Sequence, residues 1–186
     1  MNTLRSFTFL VILFAVGCDF NWVTVSARIG SKVEASKLKD VVGRWCDQEN
    51  GIMELRVSRK GELVAGNMSW DEQSDKFASE SVAPDIRELG GNVFLFAAEE
   101  EQKAIFLLIL RPDVDKIELY LPEPAMFRDA VEIGAVAGEI VPKRNEHFCV
   151  NLTADAKLES FLSAKDSRKY FQKEPLLVYD RAKLQK

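Results

Sequence analysis

Histidine is almost missing from this chain. Of 186 residues only His147 carries an imidazole, and cysteine is confined to positions 18, 46 and 149. That supply is too small for the His and Cys clusters of transition-metal sites, so no metal and no cofactor is expected. Phosphate-binding glycine loops are missing too, and Gly90-Gly91, the one glycine pair, reads as a turn into a strand. Gly66-Asn67-Met68-Ser69-Trp70 lacks the second glycine of a nucleophile elbow. Asp113 and Asp115 lack the longer spacing of a calcium loop. There is no polybasic stretch: 25 basic against 29 acidic residues give a net charge of −4, which argues against a nucleic-acid partner. No catalytic residue stands out, and the chain reads as a non-enzyme.

Apolar runs long enough to span a bilayer are also lacking. Residues 7–17, "FTFLVILFAVG", form the leading run, well short of the roughly 20 residues a spanning helix needs. Arg5 precedes the run and small residues close it, the layout of a secretory signal peptide. Ala15-Val16-Gly17-Cys18 resembles the lipobox of bacterial lipoproteins, which implies that Cys18 receives lipid and becomes the first mature residue. Val25-Ser26-Ala27 offers a second exit, of the ordinary secretory kind, and a retained anchor is the third reading. With lipidation as the expectation, residues 1–17 are signal peptide, 18–30 a polar linker and 31–186 one domain. Asp19 resembles the signal that holds some lipoproteins in the inner membrane, and the leaflet stays open. Cutting before Cys18 removes Arg5 alone, leaving 24 basic against 29 acidic residues and a net charge of −5.

Three cysteines make an odd count, which an exported protein must resolve. Lipid on Cys18, or cleavage after Ala27, leaves Cys46 and Cys149 as a pair. An oxidising compartment favours a disulfide between them. A thiol–imidazole couple of His147 with Cys149 would need a free, activated thiol, so the same pairing argues against it.

What the chain has in quantity is short alternating segments. "SKVEASKLKDVVG" opens with Ser31 and Glu34 in capping-box spacing and predicts a short helix. From Val42 the period changes to two, with turns at "RKGE", Gly90-Gly91 and "RPDVDK", and predicts about nine strands in an antiparallel meander. Two late helices are expected. "EPAMFRDAVEIG" has Pro124 in its first turn and Gly134 as stop, and "TADAKLESFLSA" has Thr153 as N-cap. "AIFLLIL" is apolar on both faces, so something must cover its outer side, and those helices are the natural covers. A bond between Cys46 on the first strand and Cys149 on a late one would require the sheet to close into a barrel.

Gly43-Arg44-Trp45, after a short helix and at the start of the first strand, resembles the Gly-x-Trp opening of lipocalin-like (calycin) barrels. The resemblance covers roughly residues 40–121. It implies a closed or nearly closed barrel of eight or nine strands with Trp45 plugging one end, while two late helices depart from the usual one. The tail from Leu152 to Arg181 is similar to tails of uncharacterised bacterial envelope lipoproteins. Together these imply a non-enzymatic interaction or structural module held to the cell envelope by its N-terminal lipid. The partner is then the membrane together with an envelope protein. The alternatives are a carrier of a lipid or other apolar molecule, and a secreted soluble protein.

Overall fold

The structure, a computed structural model, describes residues 21–47, 51–71, 76–99 and 104–182. The expected signal peptide and the expected lipidation residue, Cys18, lie outside them. Thirteen strands form the framework. The first three are β1 (Trp22–Val25), β2 (Ser31–Lys32) and, after a 3-10 segment at Ala35–Val41, β3 (Gly43–Cys46). The middle of the chain supplies β4 (Ile52–Val57), β5 (Leu63–Asp71), β6 (Lys76–Val82), β7 (Asp85–Leu89), β8 (Asn92–Glu99), β9 (Ala104–Pro112) and β10 (Lys116–Tyr120). Helix α1 (Pro124–Glu132), β11 (Gly138–Pro142), β12 (Phe148–Leu152), helix α2 (Ala156–Ser163), a 3-10 turn at Ser167–Tyr170 and β13 (Leu177–Arg181) complete it.

All the strands belong to one strongly curled, mainly antiparallel sheet, a half-barrel, and β9 is its trunk. One edge of β9 pairs along its length with β8, which leads on to β7 and β2. The other edge is shared. Ile109–Pro112 pair with β10, which leads through β13 and β3 to β4, β5 and β6, whereas Ile105 and Phe106 pair with β1, which leads to β12 and β11.

The sheet is open, not the closed barrel of eight or nine strands that the sequence predicts. β6 and β7 run in the same sense, joined through Ala83 and Pro84, and no ladder links them. A proline has no N–H to donate, so that junction suits a gap better than a seam. The meander is also not wholly antiparallel, because β1 lies parallel to β12, with Trp22 opposite Cys149. Absence of crossover helices constrains only consecutive strands, and these two are more than 120 residues apart.

Residues 18–30, expected as a linker, contain β1, whose Val23 and Val25 are buried. The first helix is a 3-10 segment with no side-chain cap, because Ser31 is taken up in β2, opposite Glu88. Both late helices form where expected. Pro124 occupies the first turn of α1, while Asp155 rather than Thr153 caps α2 by accepting from the Leu158 N–H at 2.8 Å. Gly90-Gly91 makes the β7–β8 turn with φ of 60° and 84°, the left-handed pair that a two-residue hairpin requires. A Cβ on Gly90 would also lie 2.5 Å from Ser163 Cα, so α2 packs against a turn that only glycine fits.

The core divides at β9 because its side chains alternate between faces. Leu107 and Ile109 join Val23, Val25, Phe94, Phe127, Leu158 and Leu162 under the two helices. Phe106, Leu108 and Leu110 join Trp45, Met53, Leu55, Ile117 and Tyr179 inside the curl. The late helices therefore cover the outer face of "AIFLLIL", as its two-sided apolarity demands. Leu158→Ala, at a fully buried position of α2, should cost about 2–5 kcal/mol in urea unfolding. Ile133→Ala, at an exposed position, should stay within about 0.5 kcal/mol.

Candidate functional site

Trp45, expected to plug a barrel end, is completely buried in the cluster inside the curl. Its Nε1 donates to the Val41 carbonyl at 2.8 Å, tying β3 to the 3-10 segment whose Leu38 and Val41 pack in the same cluster. Since the sheet does not close, the residue fills a curl rather than sealing a closed cylinder. Arg181, at the end of β13, lies over the indole with its guanidinium carbon 4.5 Å from the ring centroid. That guanidinium donates to the carbonyls of Asp40, Val42 and Val114. Gly43 has φ of 144°, and a Cβ there would come within 2.9 Å of Arg181 Nη1. The Gly-x-Trp spacing thus has a local cause: the tryptophan fills the core and the glycine leaves room for a cation arriving from the far end of the chain. Sequence reading missed Arg181, whose only signal is an arginine closing the apolar tail "PLLVYDR".

Cys46 and Cys149 are both free thiols. Four strands separate β3 from β12 along the sheet, roughly 24 Å at the usual strand spacing. The expected disulfide is not formed, and the closure argued from it goes with it. Cys149 Sγ instead donates to Asn151 Oδ1 at 3.0 Å, beside Thr24 Oγ1, which donates to the same oxygen at 2.6 Å. Burial pushes this thiol up from its ordinary pKa, with Thr24 and the Lys143 charge opposing. A nucleophilic cysteine needs the reverse shift. His147 lies on the turn between β11 and β12, where its N–H donates to the Arg144 carbonyl at 3.2 Å.

A cleft of about 230 Å³ opens near the gap in the sheet, lined by Val33, Leu38, Leu63 and Ile86 with Glu34 and Glu62 among its polar residues. It is smaller than the roughly 300–1,000 Å³ typical of small-molecule pockets.

At the start of β1 the chain arrives beside the β11–β12 turn. Asn21 Oδ1 accepts from the Phe148 N–H at 2.8 Å, and Lys143 Nζ sits 5.3 Å from the Trp22 ring centroid. The guanidinium of Arg128, on α1, lies 5.0 Å from the Phe148 centroid. Among the described residues no helix is long and apolar enough to cross a membrane. Comparisons with protein-family models, curated proteins and solved structures return no match to this chain.

Two tests follow from the geometry. Trp45→Ala should cost about 3–5 kcal/mol. A double-mutant cycle with Arg181→Ala should return a coupling of about 0.5–3 kcal/mol, as for residues in direct contact. The second is pH dependence. Burial, with the negative charge of Asp47 adding to it, raises the Tyr179 phenol far above its ordinary value. A group whose folded pKa is raised stabilises the fold fully below its unfolded pKa and progressively less above it. Urea midpoints should therefore decline above about pH 8.5 as Cys149 of the unfolded chain ionises, and more steeply above about pH 10 through Tyr179. Tyr179→Phe should keep the first decline and flatten the second.

Proposed function

We propose that the chain is a lipid-anchored envelope protein, joined to the membrane through acylated Cys18, whose half-barrel is a non-enzymatic interaction or structural module. The position of β1 carries this reading. Its first residue, Trp22, stands four positions after Cys18, and Val23 and Val25 are buried between β12 and β9. Cleavage before Cys18 leaves this strand whole. Cleavage after Ala27 would remove it from the middle of the sheet, exposing two hydrophobic side chains' worth of core and the ladder edges of both neighbours.

The chemistry of Cys149 points the same way. Burial favours the protonated form of Cys149, and Trp45 and Arg181 are taken up by core packing and by hydrogen bonds to backbone carbonyls. The carrier reading has weaker support, since both clusters are packed with large side chains.

Mass spectrometry of the mature N-terminus tests the proposal. The expected product begins at Cys18 and carries the mass of its acyl groups, and Cys18→Ala abolishes both the modification and membrane retention. A mature chain that begins at Arg28 overturns the proposal.

A further inference from the structure

Resting on the anchored reading just given, we infer that the β11–β12 turn, with the start of β1, is the face the protein turns toward the bilayer, where Lys143 and Arg144 meet anionic lipid headgroups. The tether sets the geometry. Three residue steps separate Cys18 from Asn21, at most about 11 Å of fully extended chain. Asn21 is held against the turn by the bond from the Phe148 N–H. An acyl group buried in the bilayer thus brings this end of β12 to the headgroup layer, and the far end, from which the chain continues into α2, stands away from it.

The turn is built to occupy that layer. Lys143, Arg144, Asn145 and Glu146 are all exposed, and the turn is closed by the Lys143 N–H donating to the His147 carbonyl at 2.7 Å. Asn145 and Glu146 both take left-handed φ, of 56° and 63°, which makes the turn tight and projecting. Beside it stand the half-buried rings of Trp22 and Phe148, each with a cation over its face. Of these, Trp22 is of the aromatic type enriched at the membrane–water interface, and Lys and Arg side chains reach the same layer with their charged ends. Glu146 is the one acidic residue of the turn, leaving it a net charge of +1, while Asp129 and Glu132 are already engaged with Arg128. Counting Asp19, beside the anchor, these charges sum to zero, so what a protein of mature net charge −5 offers the headgroups is the exposed cation pair Lys143 and Arg144.

Photo-crosslinking in vesicles tests this. The full acylated chain is reconstituted in phosphatidylethanolamine with phosphatidylglycerol and a trace of lipid bearing a photoreactive headgroup, then irradiated and mapped by peptide mass spectrometry. Crosslinks are expected on residues 142–148, with Lys157, beyond the opposite end of β12, spared. Lys143→Glu with Arg144→Glu should lower labelling of the turn at least tenfold, at about fivefold for each basic residue lost from an anionic surface. Leaving out phosphatidylglycerol should have a similar effect. The same map reports the state of Cys18, so the two readings fail separately. Acylated protein whose turn is unlabelled, or labelled no more than Lys157, overturns this orientation alone. Protein without acyl groups overturns the anchor and the orientation with it.

Discussion

The rest of the architecture depends on one strand being buried on both faces. β9 carries Phe106, Leu108 and Leu110 on one side and Leu107 and Ile109 on the other, all buried. A single-layer sheet in water can hide only one face of a strand, so the second face needs a cover of its own. Curling the sheet buries the first set against Trp45 and Tyr179, and α1 and α2 bury the second. At about 1.5–3 kcal/mol for each large apolar side chain removed from water, losing either cover would be a substantial part of the stability of a domain this size.

The second consequence of that strand is the fork in the sheet. β10 takes one half of an edge of β9 and leaves the other half open, and β1 fills it. The most N-terminal described segment thereby becomes interior, held by a parallel ladder to β12 and an antiparallel one to β9. Under the proposed anchored reading, folding and processing would be linked by this arrangement, because β1 can join the sheet only if it stays on the chain. Its closeness to the proposed anchor would also give the module a short leash and a defined orientation, in contrast to a lipoprotein domain on a long flexible linker.

Much of the fold was legible in local pattern. The strands around Gly90-Gly91, the helix between Pro124 and Gly134 and the two-sided burial of "AIFLLIL" follow from turn chemistry and periodicity, which act over a few residues. The linker reading of residues 18–30 failed because "WVTV" is too short to reveal whether a partner edge awaits it, and that edge is supplied by residues 148–152. The disulfide argument failed for a similar reason. Parity and compartment say how many thiols need partners, but only strand order says whether two can meet, and here four strands stand between them. Of the site at the start of the first long hairpin, Gly43 and Trp45 were visible as a motif, whereas Arg181 became part of it only through the pairing of β13 with β3.

By itself, the amino-acid order determined a mainly β protein with two late amphipathic helices and a core rich in large apolar side chains. Those properties depend on neighbours within about ten residues. Tertiary structure alone decided that the sheet stays open at Ala83-Pro84, that β1 is interior, that Cys149 rests beside Thr24 and Asn151, and that a basic turn lies next to the chain's entry point. Each of these depends on which distant edges pair, and edge pairing is set by competition among all strands for hydrogen bonds and burial together.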